Sequence, residues 1–230
     1  ASYQPIPMEQ LKLQGVETFV NWSTEQSECM QCIMVLFHGC NNQGHHWFQK
    51  PEEISFLDQV FSHQISVVAF TTPRHRGNFC WPSPDESSEF QDATDLISNA
   101  LADLLKLKAE SSGEQWMTSP LILVGASSGG NFASRLPAVW SKLDMPFKVA
   151  AFLSVVSPTS FVRNGELLEE PGPAFPPTGV VYMPKDKTFA SEEAIATLLR
   201  SLRTAGVAAK AWPLAPQALT AKDISARLQR

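Results

Sequence analysis

Two kinds of apolar segment alternate along this chain. Short apolar runs, most of them rich in Val, Ile, Phe or Leu, predict strands over residues 11–22, 30–37, 65–70, 121–125, 149–156, 179–183 and 208–214. Longer segments, some with Leu at helical spacing, predict helices over residues 51–62, 90–108, 131–143, 190–205 and 218–230. Strands and helices that alternate in this way predict an α/β fold, with a mostly parallel sheet covered by helices on both faces.

The length and composition are those of one soluble domain. The 230 residues are 43% hydrophobic, which is enough for one core, so we expect a single domain over residues 1–230. The net charge is −5 without a dense Lys/Arg block, which argues against a nucleic-acid partner. No apolar run is long enough for a membrane span, and residues 1–10 are not typical of a signal sequence. We expect a soluble protein, of the cytoplasm or of an organellar lumen or stroma.

The cysteines give little indication of a cofactor. All four, Cys29, Cys32, Cys40 and Cys80, lie in the first third of the chain. The CMQC pair lacks two further ligands at a spacing that suits zinc. We therefore expect reduced cysteines packed in the core, with a disulfide between Cys40 and Cys80 as the alternative, because both follow successive strands. Nothing indicates a metal, nucleotide or flavin, and the pattern GASSGG lacks the spacing of a dinucleotide site.

The pattern G-x-S-x-G over residues 125–129 is the strongest chemical signal. It directly follows the apolar run LILV and precedes a predicted helix, which is the setting of a serine nucleophile on a sharp turn. A side chain at Gly125 or Gly129 is expected to collide with the neighbouring strand or helix. Ser127 is the candidate nucleophile, and the backbone N–H of Ser128 is expected to bind an oxyanion. The alternative is a plain glycine-rich turn.

Two further segments end predicted strands of the same sheet. VLFHGCNNQG, residues 35–44, is expected to supply the second oxyanion N–H from Cys40, while His38 holds the loop by hydrogen bonds. Asp186 follows the strand over residues 179–183 and is the candidate triad acid. The alternative for Asp186 is a solvated or capping residue. Ligands of such sheets bind at the carboxyl ends of the strands, where all these residues fall.

The general base is missing from its expected place after the last strand. No histidine occurs within residues 213–220, and every histidine of the chain precedes Ser127: His38, His45, His46, His63 and His75. Without a base the serine hydroxyl stays protonated and is a poor nucleophile. His75, in the long loop over residues 71–88, is the candidate substitute, and Trp81 of the same loop is expected to line the pocket mouth. An ordinary loop histidine is the alternative.

Four segments carry a family resemblance. LFHGCNNQGHHWF, GNFCW, VGASSGGNFAS and PPTGVVYMPKDK resemble a plant and algal family of the α/β-hydrolase superfamily, over roughly residues 34–228. The resemblance implies the α/β-hydrolase fold and places Ser127 at the nucleophile position, but it implies no substrate. The family's segment after the last strand, similar to WPLAPQALTAKDISARL here, also offers no obvious histidine.

Two functions are consistent with these observations. The first is a serine hydrolase of small or exposed carboxylic esters or similar acyl compounds, because the connection between residues 156 and 179 is short for a large lid domain. The second is a catalytically inactive hydrolase fold that acts as a binding module or as a subunit of an assembly. Its protein partner would dock on the proline-rich loop over residues 169–177 or on the exposed aromatic loop around Phe79 and Trp81.

Overall fold

Strands and helices alternate in the computed structural model, which describes residues 4–23, 32–73, 78–84, 87–157, 159, 161–163, 166–167, 175–187 and 190–214. The strands are β1 (Glu9–Leu13), β2 (Val16–Asn21), β3 (Ile33–Phe37), β4 (Ser66–Phe70), β5 (Leu121–Ala126), β6 (Val149–Val155), β7 (Val162–Arg163), β8 (Glu166–Leu167), β9 (Thr178–Tyr182) and β10 (Ala209–Pro213). The α-helices are α1 (Pro51–Ser62), α2 (Ser87–Ser112), α3 (Ser128–Ala133), α4 (Leu136–Lys142) and α5 (Glu192–Thr204). Short 3₁₀ helices occupy Gly44–Phe48 and Glu114–Thr118.

Eight of the strands form one sheet in the order β1-β2-β4-β3-β5-β6-β9-β10. In this order the strands from β4 to β10 run parallel, whereas β2 is antiparallel to both of its neighbours, β1 and β4. The mostly parallel α/β architecture predicted from the sequence is therefore confirmed. Parallel neighbours end at the same edge, so the loops after β3, β4, β5 and β6 lie side by side.

Helices cover both faces of the sheet. On one face α2, α3, α4 and α5 contribute buried side chains such as Leu101, Phe132 and Trp140 to the larger core. On the other face α1 and the 3₁₀ helix Gly44–Phe48 contribute Leu57 and Phe48 to a second core. All five residues of β3 are buried, as the strand lies between the two cores.

Two elements differ from the sequence prediction. The single strand predicted over residues 11–22 is wrong, because the chain reverses at Gln14 and Gly15, whose φ angles of 52° and 80° suit a two-residue hairpin turn. The single helix predicted over residues 131–143 is also wrong. It divides into α3 and α4 near Pro137, which lacks the N–H that a continuous helix needs. The predicted helix over residues 218–230 lies outside the described residues.

The expectation of reduced cysteines is wrong for Cys40 and Cys80, which form a disulfide. The reason is the sheet order: β3 and β4 are parallel neighbours, so the loops that follow them meet, and the N–H of Asn41 donates to the carbonyl of Asn78 at 2.7 Å. Cys32 is a free thiol just before β3, and Cys29 lies outside the described residues. The described part of the chain contains no cluster of metal-binding side chains and no helix long and apolar enough to cross a membrane.

Candidate active site

Ser127 occupies a tightly held turn between β5 and α3. Its φ of 51° and ψ of −118° are unfavourable for a residue with a side chain. The turn is fixed on both sides, because the N–H of Ser127 donates to the carbonyl of Val155 at 2.9 Å and its carbonyl accepts from the N–H of Asn131 at 3.1 Å. The residue is nevertheless exposed. The fold thus presents a serine hydroxyl at the carboxyl edge of the sheet on a strained backbone.

Glycines on both sides of Ser127 make this turn sterically possible. A Cβ atom at Gly125 would lie 2.4 Å from the carbonyl oxygen of Gly129, and one at Gly129 would lie 2.3 Å from the carbonyl oxygen of Phe37 in β3. At Gly130 a Cβ atom would lie 2.8 Å from the carbonyl oxygen of Gly125. The collisions predicted from the sequence for Gly125 and Gly129 are confirmed, and the obstacles are backbone atoms that cannot move aside cheaply.

His38 fixes the loop that follows β3, residues 38–43, which we call the β3 loop. Its Nδ1–H donates to the carbonyl of Gly39 at 2.8 Å, and its Nε2 accepts from the N–H of Thr72 at 3.1 Å. The side chain is 2% exposed, and this burial lowers its pKa to about 4. Because both ring nitrogens are engaged, His38 holds the loop and is not available as a base, as the sequence analysis expected.

The segment over residues 78–81 contacts the site from the side of β4. The disulfide joins it to Cys40, and the N–H of Trp81 donates to the hydroxyl of Ser128 at 3.4 Å. The expectation that Trp81 is exposed at the pocket mouth is wrong, because its side chain is 3% exposed. Its ring stacks on Phe132 of α3 at 4.7 Å and meets Phe37 edge-on at 5.2 Å. The indole therefore supports the Ser127 turn from below.

A pocket of about 270 Å³ opens beside Ser127. Its walls come from the β3 loop, the 3₁₀ helix Gly44–Phe48, the start of α1 and the ends of β5 and β6. Besides Ser127 it is lined by His38, Gly39, Cys40, Asn42, Gln43, His46, Trp47, Glu53, Ala126, Val155 and Val156. The walls combine apolar surface with amide, imidazole and carboxylate groups. This position at the carboxyl ends of parallel strands is where ligands bind in such sheets.

His46 is the second histidine that lines the pocket. The N–H of Gln43 donates to its Nδ1 at 3.1 Å, so the neutral ring carries its proton on Nε2. Burial, then the positive charge of Lys50 and then His45 lower the pKa of His46, which favours this neutral ring. The ammonium of Lys50 in turn donates to the side-chain oxygen of Asn42. His46 is therefore a hydrogen-bond donor from Nε2 in this arrangement and does not offer that nitrogen as a proton acceptor.

Comparison with known proteins identifies the family. The sequence profile of the alpha/beta hydrolase family matches residues 34–228. The chain belongs to the α/β-hydrolase family. The predicted α/β-hydrolase fold is thus confirmed, whereas the narrower plant and algal family stays a prediction. No curated protein sequence matches the chain.

Solved structures of esterases share this α/β-hydrolase fold. A lipase/esterase from Lactobacillus plantarum is 15% identical, with a TM-score of 0.63 over 99% of this chain and 98% of that one. A carboxylesterase from the same organism is 14% identical, with a TM-score of 0.63 over 98% and 88% of the two chains. The Bacillus cereus carboxylesterase is 12% identical, with a TM-score of 0.57 over 93% and 92%. Likeness at these identities shows the fold alone.

The predicted triad partners of this α/β-hydrolase have different outcomes. Asp186 lies in the turn after β9, where its carboxylate accepts from the N–H of Ala190 at 3.2 Å and its own N–H donates to the carbonyl of Met183 at 2.9 Å. It does not line the pocket of Ser127. Ala190 precedes α5, whose N-cap is Ser191, so Asp186 bonds the turn before that helix and does not cap it. His75 lies outside the described residues, and its role stays a prediction.

Glu53 is a pocket residue of this α/β-hydrolase that the sequence analysis missed. It lies in the first turn of α1 and is partly buried. An acidic residue in a first helical turn is common, since it interacts favourably with the helix dipole. The sequence therefore contains no signal that sets Glu53 apart from Glu52, which is exposed in the same turn. Only the packing of α1 against the β3 side of the sheet brings Glu53 to the pocket.

Proposed function

We propose that this α/β-hydrolase hydrolyses carboxylic esters or related acyl compounds, with Ser127 as the nucleophile. One observation carries the proposal: the exposed Ser127 is held at a positive φ between the end of β5 and the first residue of α3, in the wall of a pocket. A sharp strand-to-helix turn that lifts a serine hydroxyl above the sheet is the arrangement that α/β-hydrolases use for nucleophilic attack.

The backbone N–H groups of Ser128 and Cys40 are the proposed oxyanion donors. Ser128 begins α3, so its N–H has no acceptor within that helix. Gly39 brings the β3 loop close to the nucleophile, since a Cβ atom there would lie 3.4 Å from the Cβ of Ser127. Two such donors stabilise the negative charge that develops on the carbonyl oxygen during attack.

The proposed substrates are small or exposed acyl compounds. The pocket of about 270 Å³ lies just below the usual range of about 300–1,000 Å³ for sites that hold drug-sized ligands. Val155, Val156 and Trp47 supply apolar surface for a short acyl or alkyl group. The esterases and lipase with the same fold are consistent with an ester substrate.

The base is the unusual part of the proposed mechanism. His38 uses both nitrogens in hydrogen bonds, and Nε2 of His46 carries the proton, so neither offers an acceptor to Ser127 as arranged. We propose His75 as the substitute base and Asp186 as the acid, from their positions after β4 and β9. Turnover is expected to be slow, because loss of a triad member in well-studied enzymes leaves only about 10³–10⁴-fold catalysis over water.

A second candidate function is a binding module without catalysis. The observation that favours it is that all five histidines precede Ser127 in the chain. A site with oxyanion donors but no base would still hold a carbonyl or an anion. In this case residues 1–230 act as one domain that presents the pocket to a small acyl ligand or takes part in an assembly with a protein partner.

A fluorophosphonate probe separates the two candidates. It phosphonylates activated serines, so the proposed hydrolase is expected to be labelled, and Ser127→Ala is expected to abolish the labelling. Ser141→Ala, at an exposed serine in α4, is the matched control and is expected to label like the parent. Absence of labelling after prolonged exposure would contradict the hydrolase. Full labelling of His75→Ala would contradict only the proposed base.

A further inference from the structure

We propose that Cys80 is a positioning residue of the site: its disulfide to Cys40 holds the Cys40 N–H in line with Ser127, and a dithiol that reduces this bond lowers the acyl-transfer activity. This inference rests on the proposed function. It assigns a role to a bond that lies at the pocket but has no place in the catalytic steps themselves.

The location of the disulfide is the first argument. Cys40 lines the Ser127 pocket and belongs to the β3 loop, whereas Cys80 lies in the 78–81 segment and does not line the pocket. The bond thus connects the proposed oxyanion donor to an element anchored elsewhere. That element is anchored through Trp81, whose ring is buried against Phe132 and whose N–H donates to the hydroxyl of Ser128. The two proposed oxyanion residues, 40 and 128, are therefore both tied to the 78–81 segment.

The backbone beside each cysteine is the second argument. Asn41 follows Cys40 with a φ of 60°, and Phe79 precedes Cys80 with a φ of 48°. Asparagine adopts such an angle readily, whereas a large aromatic residue such as Phe79 rarely does. Strain of this kind persists only where the surroundings hold it in place. The disulfide is the covalent constraint between these two positions, assisted by the hydrogen bond from Asn41 to Asn78.

The accessibility of the bond is the third argument. Cys40 and Cys80 are both partly exposed, and Asn78 beside them is exposed. A small dithiol can therefore approach without unfolding of the core. By contrast, the β3 loop is held on its other side by His38, whose contacts with Gly39 and Thr72 do not involve the disulfide. Reduction is expected to release the segment at residues 40–41 while the rest of the loop stays in place.

The chemistry of the switch is ordinary thiol–disulfide exchange. One thiolate of the dithiol attacks a sulfur of the bridge, a mixed disulfide forms, and one cysteine leaves as a thiolate that takes up a proton. The second thiol of the reagent then displaces the other cysteine and closes a cyclic disulfide. Cys40 and Cys80 together gain two electrons and two protons, and the dithiol loses them. A small disulfide such as oxidised glutathione restores the bond by the reverse exchange and is itself reduced to two thiols.

The expected effect follows from the role of an oxyanion donor. Removal of one such donor lowers kcat by about 10²–10³-fold in well-studied enzymes. After reduction the Cys40 N–H is still present but is no longer held in position to donate to the oxyanion. We therefore expect a fall of about 10-fold or more in the rate of serine modification. Binding of the probe is expected to change little, since the apolar walls at Val155, Val156 and Trp47 are not attached to the bridge.

The test is the rate of fluorophosphonate labelling of the full chain as a function of probe concentration. It is measured on oxidised protein, on protein reduced with dithiothreitol, and after reoxidation. We expect reduction to lower the maximal rate without much change in the half-saturating concentration, and reoxidation to restore it. Cys32→Ser, which removes a free thiol, is the control and is expected to respond like the parent. Cys80→Ser is expected to be slow in both states.

Several results would overturn the inference. One such result is an equal maximal rate of labelling before and after reduction, when a count of two new thiols shows that the bond is reduced. It would leave the proposed function intact and remove only the role of Cys80. Loss of far-ultraviolet circular dichroism on reduction would show that the bond holds the fold and not the site. Absence of Ser127-dependent labelling in the oxidised protein would overturn the proposed function together with this inference. If Cys80→Ser does not fold, the reduction and reoxidation cycle of the parent decides the matter.

Discussion

The backbone N–H of Thr72 donates to Nε2 of His38 across 3.1 Å, and this contact joins the loops that follow β4 and β3. The other nitrogen of the same ring donates to the carbonyl of Gly39. A neutral imidazole satisfies both contacts, whereas a doubly protonated ring would turn a donor toward the N–H of Thr72. Burial adds to this preference, and the pKa of His38 falls from 6.5 to about 4.

Acid is therefore expected to destabilise the fold through His38. The unfolded chain binds a proton at this residue near pH 6.5, and the folded protein binds it only near pH 4, so stability falls as the pH drops through this window and levels off below it. The loss amounts to about 3 kcal/mol between pH 7.5 and pH 4. Urea unfolding of the parent and of His38→Gln over this range measures it. If the free energy of unfolding of the parent falls with pH no more than that of His38→Gln, the lowered pKa of His38 is contradicted.

Alanine at Gly129 is expected to disrupt the Ser127 turn. Its Cβ would lie 2.3 Å from the carbonyl oxygen of Phe37, and because the obstacle is backbone, β3 and α3 must separate. We expect a loss of about 3 kcal/mol or more in the free energy of unfolding, at the upper end of the losses that overpacked cores show. Gly15→Ala is the control: it has a φ of 80° but nothing within 4 Å, so only the conformational cost of about 1–2 kcal/mol applies. Similar losses for both variants would contradict the steric argument.

Glycine at position 127 is expected to stabilise the protein relative to alanine there. Alanine keeps the strain of a φ of 51°, whereas glycine removes about 1–3 kcal/mol of it and loses about 0.5–1 kcal/mol through the greater freedom of the unfolded chain. The free energy of unfolding of Ser127→Gly is thus expected to be roughly 1 kcal/mol higher than that of Ser127→Ala. Thermal or urea unfolding measures the difference. The two variants lack the hydroxyl equally, so the comparison isolates backbone strain. A more stable alanine variant would show that the turn is relaxed.

Ser98 is expected to stabilise the core through Trp140. The indole N–H of Trp140 donates to the hydroxyl of Ser98 at 2.7 Å, and that hydroxyl donates to the carbonyl of Thr94 at 2.6 Å. Ser98→Ala leaves the buried indole N–H without its acceptor, which costs about 1–3 kcal/mol. Ser141→Ala, at an exposed position of α4, is expected to stay within about 0.5 kcal/mol of the parent. Urea unfolding of both variants provides the measurement.

Much of the fold could be predicted because its strands are buried in a parallel sheet. Continuous apolar runs matched β3, β4 and β5, since such strands need apolar residues on both faces. The bounds of α1 agree with the predicted helix, which begins at Pro51, a residue that suits the first helical position. The break between α3 and α4 was missed because apolar periodicity continues through it.

The surroundings of Ser127 were less predictable, because they depend on which strands are neighbours. The meeting of Cys40 with Cys80 requires β3 and β4 to be adjacent, and a linear pattern does not specify that order. Trp81 was expected near the solvent as a loop residue, but the stacking partner that buries it, Phe132, lies in a distant part of the sequence. The proton position on His46 depends on a single backbone contact with Gln43. These are tertiary contacts, which the secondary-structure propensity of a local segment does not determine.

The parallel pairing of β5 with both β3 and β6 has a consequence for how the protein acquires its site during synthesis. The turn at Ser127 is held by Val155 of β6 and closed against Phe37 of β3, so neighbours in sequence do not suffice to form it. The β1–β2 hairpin pairs residues that are close in the chain, whereas the serine turn cannot form until β6 is available. The site therefore depends on long-range pairing at the centre of the sheet, and we expect reactivity to appear only once β3, β5 and β6 have paired.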